Sequence, residues 1–398
     1  MFKHIPSYPG DPILSLMQTY IKDDRARKAN LSIGLYYDEA GKIPVLGSVM
    51  AAHEAMDPNV PHTYLPMEGD ASYRRLVAET VFGPDASVIR EQRVATIDTL
   101  GGSGALKVGA DFLKAYFPDS ELWISDPTWE NHYNILGGAG LVMRTFPYYD
   151  AKTNGILFDQ MIAAFEKLPA KSIVLLQPCC HNPTGIDPSR EQWQQILDVL
   201  VKREAIPFFD MAYQGFGDGL AEDAWVVRRL ADTGTAFLVG NSFSKSMSLY
   251  GERVGGLSVV CATAAEAAQV AGQLQATVRK NYSSPPLFGS RLVSGVLGDP
   301  KLRALWEEEV GQMRKRIHSM RGALREGLQA RMPDADVEYF VTQRGMFSYT
   351  GLDSSQVDTL RDVYGVYLIK SGRMCVAGLN FGNIDFVADA MAAVMKSR

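Results

Sequence analysis

The chain has 398 residues, 46% of them apolar and 21% charged, with a net charge of −5. That length suits one large core with a smaller companion. The balance is that of an ordinary globular enzyme, and the acidic sum leaves no basic face for nucleic acid. No apolar run approaches the roughly 20 residues of a membrane span, and the opening MFKHIPSYPGDP lacks the apolar stretch of a secretory signal. Cys179, Cys180, Cys261 and Cys375 form no Cys-x-x-Cys pair, and four cysteines in so long a chain are no disulfide framework. A reducing, cytoplasmic setting is predicted.

In chain order, the first forty residues include IPSYPGDPIL, Pro-rich and predicted to be extended. They cannot hold a core alone and are expected to pack with the C-terminal part. Seven strands are predicted in the middle of the chain: Arg93 to Leu100, Glu121 to Pro127, Leu141 to Tyr149, Ser172 to Pro178, Ile206 to Tyr213, Thr235 to Phe243 and Gly255 to Ala262. Helices are predicted between them, over Ser103 to Tyr116, Asn131 to Gly137, Phe158 to Lys167, Arg190 to Arg203 and Ala221 to Asp232. Near-continuous apolar strands separated by helices predict an α/β fold with a mostly parallel sheet covered on both faces. A long helix over Lys301 to Arg331 follows, then strands in VEYFVTQ and GVYLIKSG and a last helix over Ile384 to Met395. This C-terminal part reads as a smaller α+β domain. The expected division is residues 1–42, 43–312 and 313–398, the first and last segments forming the small domain.

In such sheets ligands bind beyond the carboxyl ends of the strands, and chemistry-bearing residues gather there. The first strand runs into Gly101, Gly102, Ser103 and Gly104, which reads equally as an anion site at a helix N-terminus or as a tight turn. It is neither a P-loop nor a Gly-x-Ser-x-Gly elbow, because Ala105 stands where the last glycine is needed. Trp129 and His132 follow the second strand. Trp129 could stack on a flat ligand, although tryptophan is more often core. Asn182 lies in the turn HNPTG, while Cys180 and His181 lack the partner pair a zinc site needs. Asp210 ends an apolar strand, where burial is costly unless a cation meets it, and Tyr213 is three residues on. Lys245 has no acid within six residues on either side and stands among Ser242, Ser244, Ser246 and Ser248, with Arg253 eight residues later.

Two chemistries compete for Lys245. Ser242-Phe-Ser-Lys245 fits the Ser-x-x-Lys of penicillin-recognising enzymes, but their Ser-Asp-Asn and Lys-Thr-Gly elements are missing: the chain has Ser125-Asp126-Pro127 and Lys152-Thr153-Asn154. A Schiff-base lysine wants a phosphate site, an acid for a pyridinium nitrogen and an aromatic ring to stack on. All three occur, each at a different strand end, so Lys245 reads as a buried reactive amine.

With HNPTG (181–185), SFSKSMSLYGERVGG (242–256), RKNYSSPP (279–286) and SGRMCVAGL (371–379), the chain resembles, over nearly its whole length, the fold-type I, class I aminotransferases that use pyridoxal 5′-phosphate. The likeness is greatest to bacterial aromatic amino-acid aminotransferases of the aspartate aminotransferase subgroup. It implies that Lys245 holds the cofactor covalently and moves the proton, that Asp210 pairs with the ring nitrogen, and that Tyr213 and Asn182 bond the phenolic oxygen. By the same likeness Trp129 stacks on the ring, with His132 supporting it. Gly102, Ser103, Gly104, Ser242, Ser244 and Arg253 hold the phosphate, joined by Tyr64 from a neighbouring subunit. Arg373, supported at Gly34, takes the substrate α-carboxylate, and the neighbour's Arg279 takes a distal carboxylate.

A homodimer with shared sites is therefore expected, acting on small amino and keto acids and binding neither metal, nucleic acid nor membrane. The acceptor is expected to be 2-oxoglutarate. Tyr37, Ile43 and Leu65, with Leu35 and Tyr36, favour an aromatic donor beside aspartate, unless they are interface packing. An aspartate-preferring enzyme is the nearest alternative. A lyase or decarboxylase on the same fold has no need of a second carboxylate-binding arginine, and a regulator would need a DNA-binding segment that the sequence lacks.

Overall fold

The computed structural model describes residues 1–8 and 10–396. The chain separates into two compact units, Pro44–Lys315 and Met1–Ile43 with the chain from Arg316 onward.

The larger unit is built on seven strands: β1 (Val94–Leu100), β2 (Glu121–Asp126), β3 (Val142–Pro147), β4 (Ile173–Leu176), β5 (Ile206–Met211), β6 (Phe237–Ser242) and β7 (Val254–Val260). Their order in the sheet is β1-β7-β6-β5-β4-β2-β3. All neighbours are parallel except β7, which runs antiparallel to both β1 and β6. Side chains alternate across a strand, so consecutive apolar residues enter opposite layers. Phe208 joins Leu106, Leu175 and Leu257 in one core, and Phe209 joins Val174, Trp193 and Phe237 in the other. Both faces are thereby buried, as the uninterrupted apolar strands imply.

Because β7 is reversed, its first residues lie level with the ends of its neighbours: Val254 pairs with Leu100, and Gly255 with Ser242. Three chain segments crowd here. A Cβ on Gly255 would stand 2.5 Å from the Asn241 carbonyl oxygen and 2.8 Å from the Gly101 carbonyl carbon, so only glycine lets them approach.

The second unit holds the strand pairs Ala29–Asn30 with Val366–Tyr367, parallel, and Phe347–Tyr349 with Arg373–Cys375, antiparallel. The predicted last helix, Ile384–Met395, is present, and the long helix Pro300–Arg331 contributes residues to both units.

Several expectations are corrected. VEYFVTQ contains a short helix, Tyr339–Thr342, rather than a strand. Adjacent Tyr339 and Phe340 are both buried, which one helical turn against a core permits and a one-faced strand does not. In GVYLIKSG only Val366–Tyr367 is strand. IPSYPGDPIL is not extended throughout, because the Asp11 carboxylate caps a helix over Pro12–Lys22 by accepting from the backbone N–H groups of Ile13 and Leu14. The helix expected over Ala221 to Asp232 is two pieces, Leu220–Asp223 and Trp225–Ala231. Asp223 closes the first piece while its carboxylate holds the backbone N–H groups of Gly215, Gly217 and Asp218 at 2.8–2.9 Å. Ala264–Asn281 and Leu287–Gly298 are helices for which no expectation was drawn.

Candidate active site

Asp210 is the fifth residue of β5 and is buried. His132, fully buried, brings Nε2 to 3.0 Å from Asp210 Oδ2, and its Nδ1 lies 2.8 Å from Thr128 Oγ1. A carboxylate only accepts, so Nε2 carries the proton and Nδ1 accepts from the threonine hydroxyl. The imidazole thus orients the Asp210 carboxylate. The Trp129 ring meets the His132 ring edge-on at 5.2 Å. Sequence reasoning placed His132 near the stacking region and missed both Thr128 and the bond to Asp210. Thr128 precedes the helix Asn131–Gly137 that carries His132, so no helical spacing pointed to the pair.

Lys245 lies in the turn after β6, and its Nζ is 4.8 Å from the centre of the Tyr213 ring. It is half-buried rather than enclosed. Tyr213 itself is buried.

The third component is an anion cradle. The helix Gly101–Tyr116 starts directly from β1, with Gly101 at φ +65°. Its first N–H groups have no intrahelical partner. Arg253, just before β7, gives Nη1 to Ser244 Oγ at 3.4 Å and to the Tyr250 carbonyl at 3.0 Å, and Nη2 to the Leu100 carbonyl at 3.5 Å. The Ser244 N–H donates to Ser242 Oγ at 3.2 Å. A side chain on Gly101 would place Cβ 2.9 Å from Arg253 Nη2, and one on Gly102 would place it 3.3 Å from Ser242 Cβ. The glycines therefore keep open a hollow edged by amides, hydroxyls and a guanidinium, the donor set of a phosphate monoester site. The helix begins two residues earlier than predicted, so Ser103 and Gly104 belong to its first turn.

Asn182 is buried and held by its backbone: its N–H donates to Gln177 Oε1 at 2.8 Å, and Gln177 Nε2 donates to its carbonyl at 3.0 Å. His181 is structural. Its ring nitrogens lie 2.9 Å from Ser125 Oγ and 2.8 Å from Thr184 Oγ1, and it stacks on Tyr148 at 3.9 Å. Burial, with a smaller contribution from His132, holds its pKa down to about 3, so it is neutral. Asp187 accepts from the backbone N–H groups of Cys180 and His181 at 2.7 and 2.9 Å. Donor atoms of Cys179, Cys180 and Asp223 do lie within 4.8 Å of one another, but the Asp223 oxygens already hold three backbone N–H groups.

In the smaller unit, buried Arg373 donates from Nη2 to the Ser32 carbonyl at 2.9 Å and lies 4.4 Å over the Phe347 ring. A Cβ on Gly34 would stand 2.8 Å from the same ring. Phe347, which sequence reasoning missed, therefore packs against both residues expected to bind substrate there. Tyr64 and Arg279 are exposed in the larger unit. Arg279 Nη1 donates to Ser283 Oγ one turn on.

The sequence profile of aminotransferase class I and II matches residues 26–391. The chain is 57% identical over 397 residues to the aromatic-amino-acid aminotransferase of Escherichia coli (strain K12), covering 99% of this chain and 100% of that protein. Among solved structures it matches, at 51% identity and a TM-score of 0.98 over 100% of both chains, a psychrophilic aromatic amino acids aminotransferase from Psychrobacter sp. B6 cocrystallised with aspartic acid. It also matches an aromatic-amino-acid aminotransferase from Burkholderia pseudomallei covalently bound to pyridoxal phosphate, at 47% identity and a TM-score of 0.97 over 99% of both chains. With a profile spanning most of its length and relatives this similar from end to end, the chain belongs to the class I and II aminotransferases.

Proposed function

We propose that this enzyme moves the amino group of aromatic L-amino acids, tyrosine and phenylalanine, and of aspartate to 2-oxoglutarate, using pyridoxal 5′-phosphate. The observation that carries the reading is the meeting, at one end of the sheet, of an amine beside a tyrosine ring, a histidine-oriented carboxylate and a glycine-lined anion cradle. When bound, the cofactor supplies an aldehyde for the amino group and a ring that absorbs the charge left when the substrate α-proton departs.

The residues divide the remaining work. The cradle of Gly102, Ser103, Gly104, Ser242, Ser244 and Arg253 takes the phosphate. Asp210, oriented by His132, holds a proton on the ring nitrogen by its charge. Trp129 packs on the ring face. Tyr213 and Asn182 donate to the phenolic oxygen. Lys245 Nζ would hold the cofactor covalently and would carry the proton at the substrate α-carbon as general acid and base. Arg373, its guanidinium braced by Phe347 and the Ser32 carbonyl, takes the α-carboxylate as a fork, with the Gly34 backbone beside it.

Residues 43–312 serve in this reading as the cofactor-binding domain, and residues 1–42 with 313–398 as the smaller one. The enzyme works as a homodimer in which the neighbour's Tyr64 reaches the phosphate and its Arg279 meets a distal carboxylate; the exposure of both side chains supports this. Leu35, Tyr36, Tyr37, Ile43 and Leu65 supply apolar surface for an aromatic ring, whose burial gives a few kcal/mol at ~25 cal/mol per Å². The relatives with aromatic-amino-acid names, one cocrystallised with aspartic acid, support the dual reading. No helix among the described residues is long and apolar enough to cross a membrane, and none of the four cysteines is in a disulfide, which supports a cytoplasmic setting. The test is a set of half-reactions followed by cofactor absorbance. Phenylalanine, tyrosine and aspartate should each convert the enzyme, and leucine should do so far more slowly. Conversion by aspartate alone would overturn the aromatic assignment.

A further inference from the structure

Arg321 sits on the helix Pro300–Arg331 and is only 2% exposed. It belongs to the smaller unit, as do Gly34, Phe347 and Arg373. Burying a guanidinium is costly unless its donors are met, and here they are met by one short stretch of chain. Nη1 donates to the Phe340 carbonyl at 2.8 Å and to Ser348 Oγ at 2.7 Å. Nη2 donates to the Gly345 carbonyl at 2.8 Å and to the Phe347 carbonyl at 2.5 Å. The planar guanidinium fixes these four acceptors relative to one another, which a lysine ammonium, with three donors on one atom, cannot do.

Two of the acceptors lie on the strand Phe347–Tyr349. That strand pairs with Arg373–Cys375, Phe347 opposite Cys375 and Tyr349 opposite Arg373. It is thus pinned between Arg321 and the strand that begins with Arg373. From it the buried Phe347 ring fills the space between the two residues assigned to the α-carboxylate. The guanidinium carbon of Arg373 lies 4.4 Å over the ring centre, and a Cβ on Gly34 would stand 2.8 Å from the ring's Cζ. A guanidinium lying over a ring takes its tilt from that ring. The tilt decides whether the group can meet a carboxylate as a fork.

We propose that Arg321 is a positioning residue for the substrate α-carboxylate, acting through Phe347. It sets the strand, the strand sets the ring, and the ring sets the guanidinium of Arg373. The inference rests on the role of Arg373 proposed above. Every amino-acid substrate carries the α-carboxylate, so Arg321 serves aromatic and acidic donors alike. The residues of the phosphate cradle belong to the larger unit, so cofactor affinity is the control.

The test compares Arg321→Lys, Phe347→Leu, the double variant and Arg373→Lys as holoenzymes. Binding of phenylpropionate, which is phenylalanine without its amino group, is measured by calorimetry, and KM and kcat are measured with phenylalanine and aspartate. Arg321→Lys should weaken phenylpropionate binding and raise both KM values by roughly tenfold, because small misplacements of a binding group are costly, while kcat changes far less. Cofactor affinity should be unchanged. Phe347→Leu should give a similar loss, and adding Arg321→Lys to it should cost little more, because the two act in series. A lower melting temperature with phenylpropionate binding unchanged would make Arg321 merely structural and overturn the proposal, as would a parallel loss of cofactor affinity. If Arg321→Lys fails to fold, Phe347→Leu decides: wild-type binding there overturns the proposal. Arg373→Lys separates the two readings. Undiminished binding in that variant removes the α-carboxylate assignment itself, whereas weakened binding there with none in Arg321→Lys and Phe347→Leu removes only the positioning role.

Discussion

Replacing Asp98 by asparagine should stabilise the enzyme, and more so as the pH rises. Asp98 lies within β1, only 1% exposed, and its Oδ2 has no hydrogen-bond partner among the described residues. Burial pushes its carboxyl pKa up to about 8 from 3.8; bonds from Ser290 and the Thr99 N–H partly offset this, and Asp70 adds to it. The folded chain therefore keeps a proton that the unfolded chain has lost between about pH 4 and pH 8. Unfolding releases it, so this group's effect on stability worsens through that window by roughly 1.4 kcal/mol per pH unit and levels off above pH 8. Set against an unfolded carboxylate, the burden is about 2 kcal/mol at pH 5, about 4 at pH 7 and about 5 at pH 8. Asparagine removes the titration at nearly constant shape, but it buries an amide with two donors, costing about 1–3 kcal/mol. The net expectation is near zero at pH 5 and a gain of roughly 2–4 kcal/mol at pH 8. For a chain of this length, 1 kcal/mol moves the midpoint by only ~1–2 °C, so the Asp98→Asn enzyme should melt a few degrees higher at pH 8. The assay is thermal unfolding from pH 5 to pH 9 at fixed protein and cofactor concentration. Parallel wild-type and variant curves across that range would show that Asp98 does not titrate there, and the reasoning would fail.

Four further outcomes are expected. Borohydride reduction of the holoenzyme should label Lys245, and Lys245→Ala should end turnover while still binding cofactor; label on another lysine refutes the assignment. His132→Ala leaves Asp210 without its orienting donor, the loss of a bond worth about 1.5–3 kcal/mol, and should lower kcat/KM by roughly tenfold to a hundredfold, with Thr128→Val a milder copy. Unchanged kinetics in both would remove the relay from the mechanism. Arg279→Ala should lose a large factor with aspartate and 2-oxoglutarate, since a buried carboxylate left without its partner costs several kcal/mol, and little with phenylalanine. Equal losses would mean that the residue holds the site together rather than selecting substrate. Mixing inactive Lys245→Ala and Arg279→Ala chains should restore some activity toward dicarboxylic substrates; a fully active monomer in sedimentation would exclude shared sites.

Much of this protein was determined by sequence alone, because the responsible physics is local. Apolar runs of strand length between amphipathic helices specify a parallel sheet covered on both faces, and all seven strands lie where the runs are. The cradle was legible because glycines before a helix and serines around a lone lysine are unusual side by side. The failures are also physical. VEYFVTQ is rich in the β-branched and aromatic residues of a strand, yet it folds as a turn of helix because both Tyr339 and Phe340 find burial, which depends on what surrounds them. The reversal of β7, which brings Arg253 and Gly255 level with Leu100 and Ser242, is a pairing between distant segments that no local pattern encodes. The bond from His132 to Asp210 joins residues 78 apart in sequence, and the unpartnered oxygen of Asp98 becomes costly only once neighbouring strands and helices have removed water from it. Residue types and their spacing select the chemistry; which groups meet, and which are left dry, is settled by long-range packing.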